Sequence, residues 1–117
     1  MLVDDDPKFR DLLERILVDD DFDVTASVSS AEAALAAVAE GTEPDVVVVD
    51  YTLPDVDGLR LADELCLRRP GQRVIIFSSL FDLALRREVE DRGFLYVEKV
   101  DGIDALETAI SAASPPH

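Results

Sequence analysis

The 117-residue sequence has one cysteine, no tryptophan and few basic residues. The cysteine count and the charge each exclude a class of structure or partner. A single cysteine, Cys66, excludes an intramolecular disulfide and is typical of a reducing compartment. Eleven basic against 26 acidic residues give a net charge of −15, which disfavours contact with nucleic acid or an anionic membrane. No apolar run approaches the roughly 20 residues of a spanning helix, and the start has no signal-peptide pattern. We therefore expect a cytoplasmic protein that does not contact a membrane.

The length and the apolar content fit one folded domain. The chain is 48% apolar, long enough to bury one core and too short to divide between two. It shows no internal repeat and no internal linker. We expect one domain over residues 1–113, followed over 114–117 by a disordered tail or the start of a linker.

The most informative stretch runs from Pro44 to Gly58. Its first part, Val46 to Val49, is an unbroken β-branched run too short for a helix, which predicts a strand buried on both faces of a parallel sheet. Asp50 follows directly, so its carboxylate should lie at the C-terminal edge, where open α/β sheets bind their ligands. Turn-forming residues between Leu53 and Gly58 then lead the chain into a helix.

Strand and helix patterns alternate five times along the chain. The predicted strands are Met1–Val3, Phe22–Ala26, Val46–Val49, Val74–Phe77 and Phe94–Val97. The predicted helices run from Pro7 to about Asp19, from a Ser29–Glu32 capping box to Gly41, from near Gly58 to Pro70, from Asp82 to about Arg92, and onward from an Asp101 cap. This alternation predicts an α/β fold, a doubly wound (βα)5 flavodoxin-like sandwich with parallel sheet order 2-1-3-4-5.

Four of the predicted strands end in residues that can carry chemistry: Asp4-Asp5, Asp50, Ser78 and Lys99. Because the ends of parallel strands lie at one edge, these residues should converge. Crowded carboxylates repel one another, and a divalent cation relieves that repulsion; oxygen ligands with room for water suit Mg²⁺. A carboxylate nucleophile, a metal, a lysine and a hydroxyl together predict phosphoryl transfer.

These residues resemble the receiver domains of two-component response regulators, over nearly the whole chain. The segment Val3–Arg10 is similar to the family's opening V-D-D-x-P-x-x-R, especially among regulators with LuxR-type helix-turn-helix output domains. The segment Asp50–Gly58 matches D-x-x-[ML]-P-x-x-[DN]-G, and Ser78 and Lys99 match the hydroxyl and the lysine that end strands 4 and 5.

The resemblance implies that Asp50 is the phosphoacceptor, which takes a phosphoryl group from a phosphohistidine of a sensor histidine kinase. Mg²⁺ would be bound by Asp5, by Asp50 and by the backbone carbonyl of Thr52, whereas Asp4 would act through a metal-bound water. The domain would catalyse its own phosphorylation and dephosphorylation and would not be an enzyme acting on a free substrate.

The resemblance also implies a switch beside the phosphoacceptor. Lys99 and Ser78 would contact the phosphoryl oxygens. Tyr96, three residues before the lysine, falls where the family has its switch aromatic, which would turn inward as Ser78 moves. Thr52 and Leu80 fall at variable positions that the family uses to tune dephosphorylation.

The implied function is a signalling switch that regulates an output domain or a partner, with a transcriptional output as the expectation. DNA would be contacted only through an output domain outside this sequence, and the receiver could form a homodimer.

Two alternatives stay open. A degenerate receiver would act only as a phosphorylation-independent interaction module, an alternative kept by the entry to strand 5, which is about one residue short of the family pattern. A small Mg²⁺-dependent phosphatase is disfavoured, because Asp50-Tyr51-Thr52 lacks a second acid two residues after the nucleophile.

Overall fold

Five parallel strands form one sheet in the order β2-β1-β3-β4-β5 in the computed structural model of the chain, which describes residues 1–115. The strands are β1 Leu2–Val3, β2 Ser27–Val28, β3 Val46–Val49, β4 Arg73–Ser78 and β5 Leu95–Glu98. The helices are α1 Pro7–Asp19, α2 Ala31–Ala39, α3 Gly58–Arg68, α4 Leu83–Asp91 and α5 Gly102–Ala113, with a 3₁₀ turn at Lys99–Asp101. The predicted (βα)5 fold and its sheet order are confirmed.

Strand β3 lies at the centre of the sheet and is buried on both faces, as its valine run predicts. Side chains of a strand alternate between faces, so Val47 and Val49 pack into the apolar layer shared with α2, α3 and α4. Val46 and Val48 pack into the opposite layer, shared with α1 and α5. A strand held from both sides brings Asp50 rigidly to the end of the sheet.

Helix α1 begins where an acid followed by proline predicts a helix start. The Asp6 carboxylate accepts the amide hydrogens of Lys8 and Phe9, and Pro7 occupies the first helical position, where no amide hydrogen is needed. This start fixes the short segment between β1 and α1, which carries Asp4 and Asp5.

The prediction of a strand over Phe22–Ala26 is wrong. Residues 22–26 alternate between partly buried and exposed positions, as predicted, yet β2 comprises only Ser27 and Val28. β2 is an edge strand, and its two residues pair with Leu2 and Val3, the two residues of β1. An edge strand extends only as far as its partner, so side-chain alternation alone did not define its length.

The predicted capping box of helix α2 is also wrong. Ser30, not Ser29, is the N-cap, and its hydroxyl accepts the amide hydrogen of Ala33. The amide hydrogens of Ala31 and Glu32 are accepted by the carboxylate of Asp55, from the loop between β3 and α3. This cap comes from a residue distant in sequence, which the local pattern could not show.

Asp57, two residues further along the same loop, also caps a helix. It is the N-cap of α3, where its carboxylate accepts the amide hydrogen of Arg60 at 2.8 Å. Both loop acids therefore remain exposed while they satisfy backbone groups.

The segment from β5 to α5 differs from the prediction in two details. Strand β5 is Leu95–Glu98, one residue later than predicted, and Asp101 makes no capping hydrogen bond with its side chain. The chain is already helical at Asp101, because the 3₁₀ turn that begins at Lys99 leads directly into α5. A capping side chain needs extended backbone at its own residue, which Asp101 does not have.

At the C-terminal end, Ser114 closes α5 and donates its hydroxyl hydrogen to the carbonyl oxygen of Ile110 at 2.7 Å. Pro116 and His117, the rest of the predicted tail, lie outside the described residues, and the domain boundary stays a prediction. Among the helices of residues 1–115, none combines the length and apolar character needed to cross a membrane.

Gly58 lies where the β3–α3 loop returns against the end of β3. Its amide donates to the Tyr51 carbonyl at 2.6 Å. An added Cβ would lie 2.8 Å from the Tyr51 Cα and closer still to the Asp50 carbonyl oxygen. The glycine is therefore needed for space at this position.

We predict that Gly58→Ala destabilises the fold, at the upper end of the roughly 1–3 kcal/mol typical of overpacking, although alanine is the better helix former. Urea unfolding measures the change. Gly93→Ala is the control, because its φ of 86° is strained for alanine while nothing lies near the added Cβ, so it should cost roughly 1–2 kcal/mol. A Gly58→Ala variant more stable than wild type would contradict the close approach.

Candidate functional site

The structure brings together acidic and basic side chains from the ends of three strands. One carboxylate oxygen each from Asp4, Asp5 and Asp50 lie within 4.8 Å of one another. The Lys99 Nζ lies 2.9 Å from Asp4 Oδ2 and 3.4 Å from Asp50 Oδ2. The predicted convergence at the C-terminal edge of the sheet is therefore present for Asp4, Asp5, Asp50 and Lys99, with the lysine positioned between two of the acids.

Asp4 and Asp5 are neighbours in sequence, yet they have different surroundings. Asp4 is 5% exposed, its Oδ1 accepts the amide hydrogen of Asp6 at 2.9 Å, and its Oδ2 binds Lys99. Asp5 is exposed at the mouth of the site. The Asp4 carboxylate is thus occupied by the protein itself, whereas Asp5 faces solvent.

Arg10 supports this acidic pair, a role that the strand-end pattern missed. One of its guanidinium nitrogens donates to the backbone carbonyl of Asp4 at 2.5 Å, which ties α1 to the end of β1. The arginine of the V-D-D-x-P-x-x-R opening indicated that Arg10 matters, but the sequence does not show which atom Arg10 contacts.

Two aromatic rings flank Lys99, and both were missed. The Nζ lies 4.5 Å from the ring centroid of Phe9 and 5.9 Å from that of Phe77. Burial lowers the pKa of Lys99, but its hydrogen bond to Asp4 and the charge of Asp50 outweigh that effect and leave the pKa raised. Lys99 therefore carries a positive charge held in place by carboxylates and aromatic faces.

The Asp50 carboxylate is half-buried, and nearby groups offset the cost of burying its charge only in part. Burial raises its pKa, the nearby charge of Lys99 opposes the rise, and the negative charge of Asp4 adds to it, with a raised pKa as the result. Its Oδ1 also accepts the amide hydrogen of Thr52 at 3.2 Å. Thr52 is exposed beside the carboxylate.

Ser78 and Tyr96 both contact the backbone of Leu80. The Ser78 hydroxyl, which is buried, accepts the amide hydrogen of Leu80 at 3.1 Å. The Tyr96 hydroxyl donates to the Leu80 carbonyl at 2.5 Å, and Arg86 lies 6.0 Å from the tyrosine ring centroid. The tyrosine is therefore turned inward, and the backbone of one residue, Leu80, connects it to the serine.

The donor set at this edge fits a magnesium ion. Asp4, Asp5 and Asp50 offer three hard oxygen ligands within 4.8 Å of one another, and the exposed Asp5 leaves room for water. Mg²⁺ prefers such a site, with one or two carboxylates and retained waters.

A family model described as the response regulator receiver domain matches residues 1–111 of this chain. The chemotaxis protein CheY of Listeria monocytogenes is 35% identical over 82 residues, 68% of this chain and 66% of that protein. The positive alginate biosynthesis regulatory protein of Pseudomonas aeruginosa is 33% identical over 120 residues, all of this chain and 47% of that protein. The DNA-binding transcriptional activator EvgA of Escherichia coli is 27% identical over 114 residues, 97% of this chain and 55% of that protein. The chain thus spans about half to two thirds of the length of these relatives.

Solved structures of receivers share the fold. The receiver domain of NtrX from Brucella abortus is 29% identical with a TM-score of 0.83, covering 96% of this chain and 94% of that one. The Francisella response regulator 1452 receiver is 25% identical with a TM-score of 0.84, covering 96% and 92%.

Receiver domains act in phosphorylation signalling, as phosphoacceptors rather than as classical enzymes. They bind Mg²⁺ at an acidic pocket, interact with sensor histidine kinases and can dimerise. Because the family model covers residues 1–111, this chain belongs to the response regulator receiver domain family.

Proposed function

We propose that this receiver is a phosphorylation-dependent switch in which Asp50 accepts a phosphoryl group from a phosphohistidine of a sensor histidine kinase. The observation that carries the proposal is the position of Asp50. Its carboxylate follows the buried central strand, lies 3.4 Å from the Lys99 Nζ, and shares the sheet edge with Asp4 and Asp5.

The transfer needs positioning and charge neutralisation more than proton removal. A carboxylate oxygen of Asp50 attacks the phosphorus, a P–O bond forms as the P–N bond of the donor breaks, and the leaving imidazole takes a proton from solvent. No general base is required, because the nucleophile is already a carboxylate. Lys99 and the hydroxyl of Ser78 bind the phosphoryl oxygens.

Asp5, Asp50 and the Thr52 carbonyl would hold Mg²⁺ directly, and Asp4 would act through a metal-bound water. The different surroundings of the acidic pair support this division, because Asp5 is exposed while the Asp4 carboxylate already binds Lys99 and the Asp6 amide. Bound Mg²⁺ would neutralise the crowded carboxylates and the charge of the transferred phosphoryl oxygens.

The switch would pass through the backbone of Leu80, whose amide and carbonyl belong to two adjacent peptide units. A phosphoryl group on Asp50 attracts the hydroxyl of Ser78, and that hydroxyl then withdraws from the Leu80 amide. Because the Tyr96 hydroxyl binds the carbonyl of Leu80, movement of this loop changes how the tyrosine is held. The contacts of phosphorylated Asp50 thereby bias α4 and β5 between two arrangements.

The proposed output is regulation of transcription, through a DNA-binding domain or a partner protein in the cytoplasm. Support comes from two relatives, a DNA-binding transcriptional activator and an alginate biosynthesis regulator. The receiver itself, over residues 1–113, would not touch DNA, since its net charge repels phosphates. A homodimer would be one way to pass the signal on.

We predict that acetyl phosphate adds one phosphoryl group to the wild-type protein, that Mg²⁺ is required, and that Asp50→Asn abolishes the addition. Intact mass measurement at neutral pH, with and without Mg²⁺, detects the acyl phosphate, which hydroxylamine should remove. A folded wild-type protein that binds Mg²⁺ but gains no mass would instead favour a phosphorylation-independent interaction module. Labelling retained in Asp50→Asn would assign the chemistry to another residue.

We predict that Asp50→Asn stabilises the metal-free protein at pH 7, because burial disfavours the charged carboxylate and raises its pKa. The unfolded chain ionises Asp50 at its ordinary pKa of about 3.9. As the pH rises above that value, the free energy of unfolding of wild type therefore falls relative to that of the variant, until the pH passes the pKa of Asp50 in the folded protein. Below about pH 4 the difference in unfolding free energy between the two proteins should vanish.

Urea unfolding of both proteins between about pH 4 and pH 8 tests this dependence. Asp55→Asn is the control of opposite sign, because backbone hydrogen bonds led by that of Glu32 lower the pKa of Asp55. Loss of the Asp55 carboxylate should therefore destabilise the fold at neutral pH. An Asp50→Asn variant no more stable than wild type at every pH would contradict the raised pKa.

A further inference from the structure

The side chain of Asp55 joins helix α2 to the loop that follows Asp50. The Asp55 Oδ1 accepts the amide hydrogens of Ala31 and Val56, each at 3.1 Å. Its Oδ2 accepts the amide hydrogen of Glu32 at 2.9 Å. One carboxylate therefore joins the β3–α3 loop to a helix that begins 24 residues earlier.

Helix α2 depends on this bond for its start. The first amide hydrogens of a helix have no acceptor within the helix. Ser30 satisfies that of Ala33, and Asp55 satisfies those of Ala31 and Glu32. Ala31 is itself buried in the apolar layer, so its amide is poorly placed to bind water instead.

The same loop is fixed at its two ends by shorter contacts. At the start, the Thr52 amide donates to Asp50 Oδ1 at 3.2 Å. At the end, the Gly58 amide donates to the Tyr51 carbonyl at 2.6 Å. Asp55 lies between these points, so it determines how the middle of the loop sits against α2.

We propose that Asp55 is a positioning residue for the metal site, which holds the β3–α3 loop and the carbonyl of Thr52 in place by binding the N-terminus of α2. This inference rests on the proposed function, because it assigns Thr52 to the metal. A backbone carbonyl can serve as a ligand only where its peptide unit is fixed. Residues that hold a metal ligand in place without touching the metal themselves typically affect metal affinity strongly.

Mg²⁺ binding by isothermal titration calorimetry tests the proposal on wild type, Asp55→Ala and Ser30→Ala. Both substitutions remove N-terminal caps from helix α2, but only Asp55→Ala also releases the β3–α3 loop. We expect Asp55→Ala to raise the Mg²⁺ dissociation constant about tenfold. Ser30→Ala should leave it unchanged while lowering stability to a similar extent, since both remove capping bonds.

Amide hydrogen exchange by NMR gives a second readout. Asp55→Ala should accelerate exchange at Ala31 and Glu32, and Ser30→Ala at Ala33. Addition of Mg²⁺ to wild type should slow exchange at Ala31 and Glu32, because binding and loop order are reciprocally coupled. Protection that does not respond to Mg²⁺ would contradict that coupling and the proposal with it.

Three results of the affinity measurements would also overturn the proposal. Unchanged Mg²⁺ affinity in Asp55→Ala would make Asp55 a helix cap only, and an equal loss in Ser30→Ala would make the effect one of general stability. If Asp55→Ala does not fold, Asp55→Asn replaces it. The asparagine amide keeps one acceptor oxygen but cannot accept from Glu32, so an intermediate Mg²⁺ affinity is expected. A wild-type Mg²⁺ affinity in Asp55→Asn would overturn the proposal.

The proposed function fails differently. If wild type binds no Mg²⁺, or if Asp50→Asn binds it as tightly as wild type, the metal site itself is wrong and the role of Asp55 falls with it. If wild type binds Mg²⁺ through Asp50 while Asp55→Ala is unaffected, the proposed function stands and only the role of Asp55 is lost.

Discussion

The contact on which the site depends is the one between Lys99 and two carboxylates. Asp4 and Asp50 are brought together by neighbouring strands, so their repulsion follows from the fold itself. The Lys99 Nζ, at 2.9 Å and 3.4 Å from them, offsets that repulsion in part. Burial is the main reason that the pKa of Asp50 is raised, with the charge of Lys99 opposing the rise and the charge of Asp4 adding to it. The acidic pocket that results, with Asp5 exposed, fits the Mg²⁺ that receiver domains bind.

Rigidity explains why this charge imbalance is tolerated. β3 is packed on both faces, and the loop after it is held by Gly58 against the strand end and by Asp55 against α2. A mobile carboxylate would turn to solvent and relieve the repulsion by itself. Because Asp50 is held, the repulsion between the carboxylates persists in the folded chain.

Much of this arrangement could be predicted from the sequence, since it follows from short local patterns. The valine run before Asp50 predicted a buried strand, and the ends of three strands predicted the cluster of Asp4, Asp5, Asp50 and Lys99. Apart from the missing Asp101 cap, which has a local cause, the failures share one cause: the deciding partner lies far along the chain. The extent of β2 depends on β1, the start of α2 depends on Asp55, and Lys99 is flanked by Phe9 from another helix. Local sequence patterns contain no information on such contacts.

The acidic pair shows how the fold gives different roles to identical residues. Asp4 continues β1, and the ladder places its amide against the Val28 carbonyl at 3.1 Å, so its side chain lies inside the sheet edge beside Lys99. Asp5, one residue later, has left the strand and is exposed. Burial along this stretch therefore ends where the strand ends, because Leu2, Val3 and Asp4 are all buried and Asp5 is not. An acidic pair, rather than a single acid, thereby supplies one buried carboxylate that binds the lysine and one that faces solvent.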